Sequence, residues 1–381
     1  MAAAPESGVV PLVDLKAQYL RLKDDIDRRV RAVCEHGAFV SGPEIDALET
    51  ALATRAGVAH AVTVASGTDA LAIALMGEGI GAGDAVFVPT FAYVACAGAV
   101  MQAGATPVFV DVAQSSYTLD VEDLDRRIER VARDGRLMPR AVMPVDLFGV
   151  PADYPAIREV AARHGLFVLA DAAQSFGATL ERVPVGALAL ATATSFFPVK
   201  PLGCYGDGGA LFTDDARRAA RWRTIRVHGF EDDDKTEAVR VGLNGRLDTI
   251  QAAVLLAKLT VFDDELEARE RLARLYDERL EGVALLPPRP ARGRGAWAQY
   301  SILIADRDRV RAALTEAGIA TAVYYPRPLH LHAAYRHLGP EPGGLPVAEA
   351  LCEQILSLPM HAYLDEAVAD RVCATLAATR A

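Results

Sequence analysis

Two hydrophobic rhythms alternate along the chain. Short apolar runs occur at VFVPT (86–90), PVFVDV (107–112), AVMPVDLFG (141–149) and LFVLADAA (166–173). Each has the length of a buried strand. Between them lie longer amphipathic stretches, VACAGAVMQAG (94–104), VEDLDRRIERVARDG (121–135) and YPAIREVAARHG (154–165). Apolar strands alternating with helices predict a mostly parallel sheet covered on both faces, with ligands beyond the carboxyl ends of the strands. After about residue 250 the rhythm changes. One long helical stretch is predicted over 247–280, then a loop at PPRPARGRG (287–295), a strand at AQYSILIAD, a helix at RVRAALTEAG and a strand at TAVYYP. The expectation is a large α/β domain over 1–250 and a smaller α+β domain over 251–381.

Composition narrows the class. With 381 residues the chain can bury a sizeable core without disulfides. Lys and Arg number 40 against 50 Asp and Glu, a net charge of −10, with no long basic run. This argues against nucleic acid or an anionic membrane as the main partner. EDDD (231–234) reads as a solvated loop. The five cysteines are scattered, without metal-site spacing, as expected in a reducing cytoplasm. Neither a signal-peptide pattern nor an apolar run of ~20 residues occurs, so a cytoplasmic location is expected. The glycines of GEGIGAGD (77–84) follow a helix and miss the dinucleotide pattern, so they read as a helix stop and turn.

Three segments carry candidate chemistry. In HAVTVASGTDALAIAL (60–75) a strand, a small-residue turn and an amphipathic helix follow one another. The N–H groups of Gly67 and Thr68 would open that helix, where the dipole favours a phosphate; a simple helix cap is the plainer reading. In LFVLADAAQSFGA (166–178) Asp171 ends an apolar strand. Spacing alone leaves two readings, a cap for the next helix or a partner for a cationic ligand. In TATSFFPVKPLGCYGDGGALFT (192–213) Lys200 sits between prolines, near Phe196, Phe197 and a glycine-rich return strand. A lysine enclosed there loses proton affinity and can form a Schiff base. Together the three segments supply what pyridoxal phosphate (PLP) needs: an amine, an acid for the ring nitrogen and an anion cradle.

At this point the sequence resembles the DegT/DnrJ/EryC1/StrS family of nucleotide-sugar aminotransferases. The resemblance runs from VPLVDLKAQY to SLPMHAYLD. It includes GPEIDALE, ASGTDAL, PVDLFG, ADAAQSFGA, SFFPVKPLGCYGDGGALFT, GLNGRLDTIQAA, AVYYPRPLH and LPMH. It implies the fold-type I PLP architecture: a large domain with a mostly parallel seven-stranded sheet and a smaller C-terminal domain. It implies Lys200 as the Schiff-base lysine, Asp171 as the ring-nitrogen partner and Gln174 at the ring hydroxyl. Gly67, Thr68 and Ser195 would hold the phosphate, and Tyr93 would stack on the ring. Asn244 would reach the phosphate of a neighbouring subunit, making a homodimer with shared sites. Phe39, Arg246, Tyr324 and Tyr325 are the candidates for the substrate. The family's His-Tyr-Pro motif reads Tyr324-Tyr325-Pro326 here, and Arg327 follows it.

The resemblance further implies L-glutamate as amino donor. The acceptor it implies is UDP-2-acetamido-2-deoxy-3-keto-glucuronic acid, on a route to O-antigen polysaccharide. Two alternatives are a dTDP-3-keto-6-deoxyhexose 3-aminotransferase and a non-catalytic sensor or regulator that keeps the fold.

Overall fold

The computed structural model describes residues 8–231, 234–290, 292–339 and 342–379. Its central sheet has seven strands: β1 (His60–Val64), β2 (Asp84–Pro89), β3 (Thr106–Val110), β4 (Met138–Val142), β5 (Phe167–Asp171), β6 (Ala191–Ser195) and β7 (Gly209–Thr213). Their order is β1–β7–β6–β5–β4–β2–β3. Only β7 runs against the others, pairing antiparallel with β1 and β6. Elsewhere the pairing is parallel.

Before and between these strands, and just after the last, come the helices α1 (Leu15–His36), α2 (Pro43–Ala56), α3 (Gly67–Gly77), α4 (Ala95–Gln102), α5 (Val121–Asp134), α6 (Tyr154–His164), α7 (Ala216–Arg226) and α8 (Thr249–Leu259). The period of two along each strand sorts side chains between the faces. Val86 and Val88 of β2 join a core with α3, α4 and α7. Ala85 and Phe87 join one with α2, α5, α6 and α8. Helix ends follow the sequence: Gly135 and Gly165 take left-handed backbone and stop α5 and α6.

α9 (Phe262–Leu280) links the two parts of the molecule. Its first turns put Phe262 and Leu266 into the large core, and its later turns put Leu272, Tyr276 and Leu280 into a third core. That third core lies under a two-stranded antiparallel sheet, β8 (Tyr300–Leu303) with β9 (Ile355–Leu358), and under α10 (Arg307–Glu316) and α12 (Glu366–Ala378). α11 (Pro346–Gln354) packs instead against the large core.

The structure departs from the sequence expectations at four places. The single helix over 247–280 is two helices: the chain breaks at Thr260 and Val261, where the Thr260 hydroxyl bonds the Ala257 carbonyl. TAVYYP is not a strand; it makes one isolated bridge, Ala322 with Ser357. α3 is buried on every side over Ala70–Leu75 rather than amphipathic, because it lies between the sheet, α4 and α7. The predicted loop over 287–295 contributes Gly293 and Arg294 to a small strand pair with Thr179 and Leu180. In EDDD, Asp232 and Asp233 lie outside the described residues, and Glu231 faces Asp234 in a hairpin. Among the described residues no helix is long and apolar enough to cross a membrane.

Candidate active site

The carboxyl ends of β1, β2, β5 and β6 converge with the loop after β6. β1 delivers the chain to Ser66, whose extended backbone stops the strand and whose Oγ accepts the Asp69 N–H at 3.0 Å. The Gly67 and Thr68 N–H groups then open α3 with no intrahelical partner. A Cβ on Gly67 would stand 2.6 Å from the Ser195 Cβ. Ser195, the last residue of β6, therefore lies directly against the helix start, and only glycine fits between them. Gly67, Thr68 and Ser195 therefore lie together at one helix start, an arrangement with donors for an anion.

Asp171 ends β5 and is 6% exposed. Its Oδ1 accepts the Ala173 N–H (3.0 Å) and its Oδ2 accepts the Cys96 thiol (3.2 Å). Cys96 comes from α4. Burial, with the charge of Asp171, pushes its thiol well up, so it stays protonated and donates. The turn after Asp171 alternates site and core. Gln174 is buried, with its Oε1 taking the Phe148 N–H (2.8 Å) and its Nε2 donating to the Tyr325 hydroxyl (3.2 Å). Two residues on, Phe176 stacks between Phe212 and Phe262 and fixes the turn to the core.

Lys200 lies in the loop after β6. Its N–H bonds Phe197 O at 2.9 Å, and Cys204 N–H returns to Phe196 O at 2.8 Å. Burial pulls the Lys200 amine below its ordinary range, while the nearby charge of Asp171 opposes the fall. α8 secures the loop with two side chains on one face. Gln251 accepts the Tyr205 N–H (2.8 Å) and donates to the Tyr205 carbonyl (3.3 Å). Lys258 donates to Gly203 O (2.6 Å), with its ammonium 4.3 Å from the centre of the Tyr205 ring. Burial lowers Lys258 to about 8.

The remaining candidates lie at the mouth. Tyr93 is 55% exposed, its ring 6.2 Å from that of Tyr325, so it is not a core tyrosine. Tyr325 is held inside, and burial pushes its phenol up. Tyr324 lines a cavity of about 260 Å³ with Val199 and Gln299. Asn244 and Arg246 hold each other in a turn, Arg246 Nη2 donating to Asn244 Oδ1 at 2.7 Å. They connect to the cradle through the Ala65 N–H to Gly245 O bond (2.8 Å). Phe39 is 47% exposed and stands over the start of α8, its carbonyl taking the Thr249 N–H. Among the described residues, neither Asn244 nor Phe39 is bonded directly to Lys200 or Asp171.

Two polar residues of the site escape the sequence reading. Cys96 gives no signal, since nothing distinguishes it from the other scattered cysteines. Asp146 gives a weak one: in PVDLFG it follows an apolar strand just as Asp171 does.

An amine of lowered proton affinity, a buried carboxylate, an amide and a helix-end anion cradle at one end of the sheet fit PLP, group by group. Fold and site together define a PLP-dependent aminotransferase of fold type I. Comparison with known proteins is more particular. The DegT/DnrJ/EryC1/StrS aminotransferase family matches residues 21–377, and the chain belongs to that family. It is 42% identical over 369 residues to UDP-2-acetamido-2-deoxy-3-oxo-D-glucuronate aminotransferase of Pseudomonas aeruginosa, covering 97% of this chain and 99% of that protein. A DegT DnrJ EryC1 StrS aminotransferase from Brucella abortus superposes with a TM-score of 0.95 at 48% identity, over 97% of this chain and 99% of that one. NtdA from Bacillus subtilis, solved with its cofactor PMP bound, gives 0.88 at 28% identity, over 98% and 86%.

Proposed function

We propose that this chain moves an amino group from L-glutamate to a nucleotide-linked 3-keto sugar, with UDP-2-acetamido-2-deoxy-3-keto-glucuronic acid as the acceptor. The reading is supported by one observation: the charge of Asp171 acts on the Lys200 amine, and the strand ending at Asp171 pairs with the strand ending at Ser195, against which Gly67 packs. The likeness to the P. aeruginosa enzyme supports the acceptor.

When bound, PLP supplies an electron sink that lets a C–H bond beside an amino group break at neutral pH. The chain's residues do the rest. Gly67 and Thr68 N–H groups and the Ser195 hydroxyl would hold the phosphate. The Asp171 carboxylate holds a proton on the ring nitrogen, and its low exposure strengthens that grip. Gln174 would hold the ring hydroxyl, and Tyr93 would cover the ring. Lys200 Nζ, its proton affinity reduced by burial, takes the proton from the donor's α-carbon and returns it on the way to product. Tyr324, Tyr325, Phe39 and Arg246 line the sugar side, where Arg246 offers charge to a uronate. Asn244 reaches the cradle of a second subunit, so the working unit is a cytoplasmic homodimer with shared sites. The product feeds a polysaccharide such as an O-antigen.

The test follows the absorbance of the PLP-loaded enzyme as amino compounds are added. L-glutamate and the UDP-linked 3-amino uronic acid should each discharge the yellow colour, and a dTDP-linked 3-amino-6-deoxyhexose should not. Discharge by the dTDP sugar alone would move the enzyme to the deoxysugar branch. No discharge by any of the three would favour a sensor that keeps the fold. For the shared site, mixing Lys200→Ala with Asn244→Ala subunits should restore up to about a quarter of wild-type activity, because one site of each hybrid dimer is intact. No recovery would mean self-contained sites.

A further inference from the structure

Directly behind Asp171 lies a second buried acid to which the mechanism gives no task. Val145 bridges Asp171 in parallel register. The Asp171 N–H donates to Pro144 O (2.9 Å), and the Asp146 N–H donates to Asp171 O (3.0 Å). The Asp146 side chain lies on the face covered by α6, where it meets the Tyr154 hydroxyl. There it is wholly buried. Its Oδ1 accepts the Ala152 N–H (2.9 Å) and the Tyr154 hydroxyl (2.8 Å), and its Oδ2 accepts the Ser175 hydroxyl (2.7 Å).

These partners are not scattered. Ser175 directly follows Gln174 in the turn after β5. Ala152 closes the loop that contains Phe148, whose N–H holds the other end of the Gln174 side chain. One carboxyl therefore ties together both segments that grip Gln174, and its backbone is bonded to Asp171 itself.

We propose that Asp146 is a positioning residue for the cofactor ring: as an anion it holds Gln174 and Asp171 in register and adds negative charge behind the acid that faces the ring nitrogen. This rests on the reading above, in which Asp171 and Gln174 meet the ring. Asp146 does not touch the cofactor. Burial raises its carboxyl to about 7, Ser175, Ala152 and Tyr154 resist the rise, and the charge of Asp171 adds to it. The groups facing it are Asp171 from β5, Tyr154 from α6 and Ser175 from the turn. Cys96 and Lys200 lie beyond Asp171. A positive charge on the ring nitrogen would relieve the repulsion between the two acids, so cofactor capture and loss of the Asp146 proton favour each other.

The test uses the full-length apoenzyme titrated with PLP, read by absorbance. Two quantities are taken: the PLP dissociation constant, and the pH midpoint of the bound cofactor's colour change. Asp146→Asn keeps the shape and removes the charge. It should raise the dissociation constant about 10-fold, the size of one loosened charge-assisted hydrogen bond, and lower the midpoint by about half a pH unit. Ser175→Ala keeps the charge and cuts the tie to the turn; it should raise the dissociation constant and leave the midpoint in place. A purely structural Asp146 would lower thermal stability without moving the midpoint. Wild-type values of both quantities in Asp146→Asn would overturn the proposal. So would an unchanged dissociation constant in Ser175→Ala, the variant to read if Asp146→Asn does not fold. A wild-type chain that bound no PLP would overturn the proposed function instead.

Discussion

Asp171 is buried and Lys200 half-buried, and they keep their reactivity for different reasons. Asp171 has an N–H and a thiol to support its charge. Lys200 has a lowered proton affinity and the opposing field of Asp171. Lys200→Ala should therefore abolish turnover, by at least ~10⁴-fold, while PLP added to the variant washes out on dialysis. Full activity in that variant would end the scheme. Gly67→Ala is the sharper steric test. Its new methyl would meet Ser195 at 2.6 Å, between a helix start and a strand end that are both fixed in the core. The expected cost is roughly 1–3 kcal/mol of stability together with a weaker hold on free phosphate or PLP. Titration calorimetry on the apoenzyme would read the second effect, and wild-type affinity would show that the cradle lies elsewhere.

Among the elements, α11 shows how the C-terminal region is joined to the sheet. The helix has no side-chain cap of its own. Its first N–H groups are taken by Asp111, just past β3: Val347 N–H by Oδ2 (3.0 Å) and Ala348 N–H by Oδ1 (2.9 Å). Asp111→Ala should cost about 1–2 kcal/mol, the usual value of a cap, and lower the urea midpoint at unchanged slope. The sequence could not reveal this cap, since the partners are 236 and 237 residues apart. The same limit hid the Cys96–Asp171 bond, which spans 75 residues. What could be read was local. Apolar runs marked the strands, and left-handed glycines marked the ends of α5 and α6. Lys200, Asp171 and Gly67 were legible because polar or small residues stand out where apolar strands end. The break at Thr260 was not legible, because apolar positions continue across it in helical spacing. TAVYYP alternates like a strand, yet among the described residues its strand pairing stops at Ala322, and Tyr324 lines a cavity instead.

For the whole molecule, the third core carries a pH liability. His361 is 4% exposed, and among the described residues neither ring nitrogen has a hydrogen-bond partner. Burial lowers it to about 4, Arg269 adds to the fall, and Asp14 and Asp365 oppose it. The folded chain thus keeps this ring neutral where the unfolded chain, near 6.5, takes up a proton. Stability is full above about 6.5 and is lost as pH falls toward 4, by up to ~3 kcal/mol from this ring. His361→Phe should flatten the dependence of unfolding free energy on pH across that window. An unchanged slope would mean that the ring is already charged in the folded state.

The grip of Gln251 on Tyr205 reaches beyond the loop it holds. One side-chain amide answers both the N–H and the carbonyl of Tyr205, as a neighbouring strand would. A surface loop is thereby given the deuterium-exchange behaviour of a sheet interior. Its amide exchanges when the Gln251 side chain lets go, and the helix that carries Gln251 is also the platform for α1 and for the segment carrying Phe39. The lysine loop is thus bound to the platform beneath it, and the uptake rate at one exposed tyrosine gauges how firmly the loop carrying Lys200 is held.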